Sequence, residues 1–125
     1  MAKIATSRRR LLSSLILTVV AFPSTSAMST RREGVTALLP HLHAARLIGS
    51  HYLALVPQER SAARLSESVF GDIDAAVDGP DALAHLRRLV DARRHRDFST
   101  GDTVILNGWL LARTEARLCA LSTLL

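Results

Sequence analysis

The stretch GDTVILNGWLLARTEARLCAL, residues 101–121, changes its hydrophobic period partway along. Residues 103–106 are β-branched or apolar, and the Asn107-Gly108 dipeptide that follows strongly favours a two-residue hairpin turn. After Leu111 the apolar residues return at the three- and four-residue spacing of a helix, as Ala112, Ala116, Leu118, Cys119 and Leu121. The stretch therefore predicts a short two-stranded β-hairpin, or a strand and tight turn, that leads directly into a C-terminal helix.

Three further helices are predicted upstream from apolar spacing and from Pro and Gly at their ends. They are expected at Leu42–Leu55, Gln58–Phe70 and Pro80–Arg96. The expected fold class is mainly α: a small domain of about four helices over residues 40–125, with the hairpin before the last helix. Residues 28–39 show weak periodicity and are expected to form a flexible lead-in.

Positive charge is concentrated at the N-terminus. The chain of 125 residues has a formal net charge of +5, and residues 1–27 hold Lys3, Arg8, Arg9 and Arg10 without any acidic residue. The remainder has twelve Arg against eleven Asp and Glu, a net charge of +1. Because these arginines alternate with acids, as on a solvated helix face, a nucleic-acid-binding surface is disfavoured.

Residues 1–27 have the three parts of a signal peptide: a basic start, the apolar run Leu11–Phe22, and small residues up to Ala27. The apolar run has 12 residues, whereas a membrane-spanning helix needs about 20. No stable transmembrane helix is expected. We predict cleavage after Ala27 and export of the remaining domain to the periplasm.

The segment SRRRLLS, residues 7–13, resembles the twin-arginine export motif. Arg8 and Arg9 match its paired arginines, and Leu11 and Leu12 match its apolar positions, although Leu11 stands where the motif prefers Phe. An ordinary, arginine-rich secretory signal is the alternative. The resemblance implies recognition by the twin-arginine translocation machinery.

Together with IGSHYLALVP (48–57) and RHRDFSTGDT (94–103), the 101–121 stretch resembles a group of small exported bacterial proteins. These proteins have a twin-arginine signal and a C-terminal GWxLxRTEARLCAL pattern. The resemblance covers most of residues 28–125 and implies export but little about activity. Those proteins often have Ser where this chain has Ala112; a Ser there would form a capping box with Glu115, so a weaker helix cap is expected.

The candidate site consists of four residues of this pattern: Trp109, Arg113, Glu115 and Arg117. As the only tryptophan, Trp109 is expected to fill part of the core. Arg113 and Arg117 are four apart and share a helix face, with Glu115 on another. One arginine is expected to tie the helix to the hairpin through a buried acid such as Asp97 or Asp102. The alternative is a docking surface of Trp109 and Arg113, residue types enriched in interface hot spots.

No catalytic residue, metal site or cofactor is predicted. Cys119 lies among leucines and is interpreted as a buried thiol. His41 and His43 fall on different sides of a helix, which disfavours a shared metal ion. The aspartates at 72, 74 and 78 lack the spacing of a calcium loop and are interpreted as turn and cap residues.

Two classes of function remain. In the first, the chain is an exported non-catalytic accessory protein, a small subunit or escort of a larger periplasmic oxidoreductase. The twin-arginine route carries folded proteins, many of them cofactor enzymes, which favours this class. In the second, it is a free-standing periplasmic binding or stress protein with an apolar pocket between helices. An enzyme ranks third, because no acid–base pair can be named.

Overall fold

The computed structural model describes residues 25–71 and 81–125. Within these ranges the chain forms α1 (Thr25–Leu38), α2 (Leu42–Leu55), α3 (Ala62–Phe70), α4 (Ala82–Thr100) and α5 (Arg113–Leu124). A 3-10 turn, Pro57–Glu59, connects α2 to α3, and strands β1 (Thr103–Leu106) and β2 (Trp109–Ala112) precede α5. The predicted mainly helical fold with a hairpin before the C-terminal helix is confirmed. Arg8, Arg9, Leu11, Leu12 and the aspartates at 72, 74 and 78 lie outside the described residues.

Helix α5 is the centre of the fold. Seven of its twelve residues are buried, and α1, α2, α3 and α4 all pack against it. Its sequence allows this because small or apolar residues cover most of its circumference, and a helix of that kind is buried on several sides. Around it lie the largest fully buried side chains of the other helices, Tyr52, Leu53, Leu65 and Val69.

The hairpin forms by the predicted turn. Asn107 and Gly108 both have positive φ, 50° and 81°, as a type I′ turn requires. The strands pair antiparallel from Thr103 opposite Ala112 to Leu106 opposite Trp109. Before the hairpin, the left-handed conformation of Gly101 ends α4 and allows the chain to turn into β1.

Helix boundaries differ from the predicted ones at the start of α3 and at the end of α4. Helix α2 has the predicted bounds. Helix α3 begins at Ala62 rather than Gln58, because the Ser61 hydroxyl accepts the Arg64 backbone N–H and fixes the helix start there. Helix α4 continues past Arg96 to Thr100.

Most of the segment 28–39, up to Leu38, is helical rather than a flexible lead-in. It supplies most of α1, and Val35 is only 3% exposed in the core. The Arg32 guanidinium also donates a hydrogen bond to the backbone oxygen of Leu125, at the end of α5. The periodicity is weak because few apolar residues anchor this helix. The predicted cleavage point after Ala27 falls inside α1 and stays a prediction.

None of the five described helices is both long enough and apolar enough to cross a membrane. The longest, α4, has 19 residues but carries five arginines.

Candidate functional site

Arg117 forms a bidentate ion pair with Glu59. Its Nε lies 3.0 Å from Glu59 Oε2, and its Nη2 lies 2.7 Å from Glu59 Oε1. About a quarter of each side chain is exposed. The two parallel hydrogen bonds fix both side chains and join α5 to the 3-10 turn.

Tyr52 completes this arrangement from α2. Its buried hydroxyl donates a hydrogen bond to Glu59 Oε2 at 2.6 Å. Burial raises the pKa of the Tyr52 phenol, whereas hydrogen bonding from Arg117 lowers the pKa of the Glu59 carboxyl. The phenol therefore stays protonated as a donor and the carboxylate stays charged as an acceptor. We call Tyr52, Glu59 and Arg117 the polar triad.

Arg113 ties α5 to the base of the hairpin, as predicted for one of the two arginines. Its Nε lies 3.1 Å from Asp102 Oδ1, and its backbone N–H donates to the Asp102 backbone oxygen at 3.0 Å. Asp102 is half exposed rather than buried. The nearby Tyr52 hydroxyl is the main cause of a raised pKa for Arg113. Both arginines of the motif thus hold elements of the fold together.

Asp97 binds the backbone of α5 rather than one of its arginines, the partner that was predicted. It is 8% exposed, and its Oδ2 accepts the Thr114 backbone N–H at 2.7 Å. Ala112, at the N-cap position of α5, offers no side-chain acceptor. The missing cap is therefore replaced by a carboxylate from α4. One signal existed in the sequence: Asp97 is seven residues after Val90 and so falls on the apolar face of α4.

Glu115 lies apart from the two arginines, as the helix spacing predicts. Its Oε2 lies 3.7 Å from Nε of Arg94 on α4, and Nη1 of Arg94 lies 3.5 Å from Asp91 Oδ1. These side chains are between one third and two thirds exposed, so the pairs contribute little to stability.

The expectation that Trp109 fills the core is wrong. Its side chain is 74% exposed beside the hairpin turn, although its cross-strand partner Leu106 is buried. Arg113 follows the other end of β2, so the two residues are separated by the length of the strand. Trp109 instead borders an apolar groove of about 350 Å³ between α2 and the hairpin. The lining is Ala44, Leu47, Ile48, Leu106, Asn107, Trp109 and Leu111.

Cys119 is buried in α5. Desolvation raises the pKa of its thiol to about 12. The group is therefore protonated at neutral pH and lacks the thiolate that nucleophilic or metal-binding cysteines need.

Metal-ligating side chains do not converge within residues 25–71 and 81–125: no group of three or more His, Cys, Asp or Glu is placed to hold an ion there. No protein-family model, curated protein or solved structure matches this chain. Two features thus stand out in the described part of the chain: the polar triad, which is engaged internally, and the apolar hairpin, which faces outward.

Proposed function

We propose that this chain is an exported, non-catalytic accessory protein that binds a larger periplasmic oxidoreductase, as its small subunit or escort. The observation that carries the proposal is the exposed apolar hairpin, on which Ile105 is 66% and Leu110 56% exposed next to Trp109. Large apolar side chains clustered on the surface of a small protein mark an interaction site.

The hairpin is suited to docking because its base is fixed. Asp102 pairs with Arg113 at one side of the base, and Asp97 holds the start of α5 immediately after β2. A rigid surface loses little conformational entropy when it binds, which raises affinity. Ile105 and Leu110 are cross-strand partners and point to the same side of the sheet. We call this pair the outer face.

The charged residues of the motif support a non-catalytic role. Arg113 and Arg117 are each paired with a carboxylate, and Glu59 also accepts from a buried phenol. Such contacts stabilise the fold and engage these side chains within it. The protonated Cys119 thiol adds no nucleophile.

The proposals of export and of an oxidoreductase partner rest on the N-terminal sequence. Residues 1–27 match a signal peptide with paired arginines at Arg8 and Arg9. Because the twin-arginine route carries folded proteins, an accessory chain bearing that signal can accompany a cofactor enzyme across the membrane.

Affinity purification of the tagged chain from its host's periplasm tests the proposal. We expect a larger protein with flavin or metal-cofactor absorbance to be retained in a fixed ratio. The variant Ile105→Ser/Leu110→Ser should lose it, whereas Leu55→Ser, which alters an equally exposed leucine on α2, should retain it. Recovery of the chain alone, or equal retention by both variants, would contradict the proposal.

The second class, a free-standing binding or stress protein, is favoured by one observation. The groove beside Trp109 is lined almost entirely by apolar side chains and falls within the size range of small-molecule sites, about 300–1,000 Å³. This class predicts that the isolated chain binds an apolar dye in a manner abolished by Leu47→Asp. The accessory-protein proposal predicts no such requirement.

A further inference from the structure

The turn of the hairpin places a side-chain amide next to a glycine. Asn107 is the only asparagine of the chain, and both it and Gly108 are exposed. Among the described residues, neither the side-chain amide of Asn107 nor the backbone N–H of Gly108 has a hydrogen-bond partner. Glycine has no side chain to shield its backbone nitrogen, and the space beside Gly108 is open. Solvent therefore reaches both groups, and nothing else in the described fold engages them.

An asparagine followed by glycine can rearrange without a catalyst, and asparagine is among the thermolabile residues. The deprotonated backbone nitrogen of Gly108 attacks Cγ of Asn107, and the new N–C bond closes a five-membered imide. The side-chain amide nitrogen takes up a proton from water and leaves as ammonia. A water molecule then opens the imide at either carbonyl. Breaking the new N–Cγ bond leaves aspartate, whereas breaking the original peptide bond leaves isoaspartate, in which the backbone runs through Cβ and Cγ.

The folded turn holds the two reacting atoms apart. The positive φ values of Asn107 and Gly108 are those of a type I′ turn, in which ψ of the first central residue is about +30°. This rotation places the Gly108 nitrogen on the opposite side of the Cα–C bond from Cβ, whereas ring closure requires both on the same side. The imide can therefore form only when the turn opens.

Opening is easiest at this end of the hairpin. Its base is held by Ala112, which is fully buried, but only Leu106 is buried among residues 106–110. Local stability follows the number of buried contacts, and a two-stranded hairpin is marginal without them. We infer that Asn107 is a modification site, which is converted to isoaspartate through the imide when the tip of the hairpin opens.

Isoaspartate cannot occupy the turn that Asn107 occupies. It lengthens the backbone by one carbon, so the two-residue connection no longer matches the pairing of Leu106 with Trp109. The released main-chain carboxylate adds a negative charge beside these two apolar side chains. Ordinary aspartate, by contrast, is favoured in type I′ turns and leaves the pairing intact. Formation of isoaspartate therefore prevents the tip of the hairpin from closing again.

This inference does not rest on the proposed function, because the reaction needs only the chain and water. The two meet at one point: Ile105 and Leu110 are the next pair along the hairpin, so a converted chain should also lose the proposed partner. A chain that binds no oxidoreductase should convert all the same. Failure of the proposed function therefore leaves the modification standing, and the reverse also holds.

Incubation of the purified chain in mildly alkaline buffer, with and without urea, tests the site. Conversion of an amide to a carboxyl raises the intact mass by about 1 Da. Chromatography of the peptide that contains residue 107 assigns this gain and separates isoaspartate from aspartate. We expect the wild type to convert in urea and at least about tenfold more slowly in buffer, which corresponds to an opening free energy of about 1.4 kcal/mol or more.

Three variants serve as controls. Asn107→Gly keeps a pair that suits a type I′ turn but has no amide, so this peptide should gain no mass. Leu106→Ala removes the buried side chain at the tip and should convert faster than the wild type in buffer, yet at the same rate in urea. Freshly prepared Asn107→Asp carries the ordinary aspartate product and should keep the native hairpin.

Hydrogen exchange of the backbone amides of residues 103–112 reports the state of the hairpin. We expect faster exchange in the isoaspartate form than in the wild type, and no change in Asn107→Asp. The inference would be overturned by the absence of a mass gain in urea, by equal rates with and without urea, or by unchanged exchange in the isoaspartate form.

Discussion

The carboxylate of Asp97, in the last turn of α4, accepts a hydrogen bond from the backbone N–H of Thr114 at the start of α5. A helix N-terminus has four backbone N–H groups without intrahelical acceptors, and it favours a negative charge nearby. Asp97 meets both needs from a different helix. The central helix of the fold is thus capped by tertiary packing rather than by its own sequence.

Replacing Asp97 with Ala should lower the free energy of unfolding by about 2–3 kcal/mol, because a buried N–H then loses a charged acceptor. Asp97→Asn keeps an oxygen acceptor and should cost less. Urea denaturation followed by circular dichroism measures both. Asp91→Ala, which removes an exposed carboxylate of the same helix, should change the value by less than about 0.5 kcal/mol. Equal effects at positions 91 and 97 would refute the capping role.

The polar triad should show strong coupling in a double-mutant cycle. Arg117→Met and Glu59→Gln should each lower the free energy of unfolding by about 1–3 kcal/mol, because each leaves a partly buried partner unpaired. The double variant should cost less than the sum of the two. Additive losses would show that the pair contributes nothing specific. The exposed Arg94–Asp91 pair, treated in the same way, should give coupling below about 0.5 kcal/mol.

The stability of the wild type should fall in acid partly through Glu59. Hydrogen bonding from Arg117 lowers the pKa of Glu59 in the folded state below its ordinary value of 4.5, so the unfolded chain binds this proton more readily. The contribution is complete above pH 4.5 and is lost as the pH falls through the folded pKa. Unfolding measured from pH 6 to pH 3 should show a shallower decline for Glu59→Gln. An unchanged slope would indicate that Glu59 titrates normally.

The hairpin and α5 could be predicted because their signals are local. Asn107-Gly108 specifies the turn, and the spacing after Leu111 specifies the helix. The contacts that hold the hairpin and α5 in place could not be predicted, because they join residues far apart in the sequence. Asp97 accepts from the backbone of Thr114, 17 residues later, and Glu59 pairs with Arg117, 58 residues later. Trp109 misleads for a related reason. A large aromatic residue suggests burial, but burial depends on which other elements cover the side chain: 74% of Trp109 is exposed, whereas its cross-strand partner Leu106 is buried.

Gly49 should be the least replaceable glycine among the described residues. A Cβ there would lie 2.3 Å from the backbone oxygen of Cys119, where α2 crosses α5. Backbone cannot move aside as a flexible side chain can, so Gly49→Ala should lower the free energy of unfolding by about 2–3 kcal/mol. Thermal and urea unfolding both measure this loss.

The matched control is Gly34→Ala, also within a helix. Its Cβ would meet only a Leu86 methyl at 3.9 Å, an ordinary contact. Alanine also has the higher helix propensity, so this variant should be neutral or more stable by up to about 1 kcal/mol. A loss at position 34 equal to that at position 49 would mean that the α2–α5 crossing is not the cause.

Cys119 should resist thiol reagents for as long as the chain is folded. Burial raises the pKa of the thiol to about 12, so almost no thiolate exists at pH 7 to 8, and the side chain is itself inaccessible. Labelling with a maleimide or a disulfide reagent should be complete within minutes in denaturant and far slower in buffer. The native rate should rise about tenfold for each 1.4 kcal/mol of stability that Asp97→Ala loses, because reaction then proceeds through transient opening of α5. Rapid labelling of the native wild type would show that α5 opens far more often than a central, buried helix should.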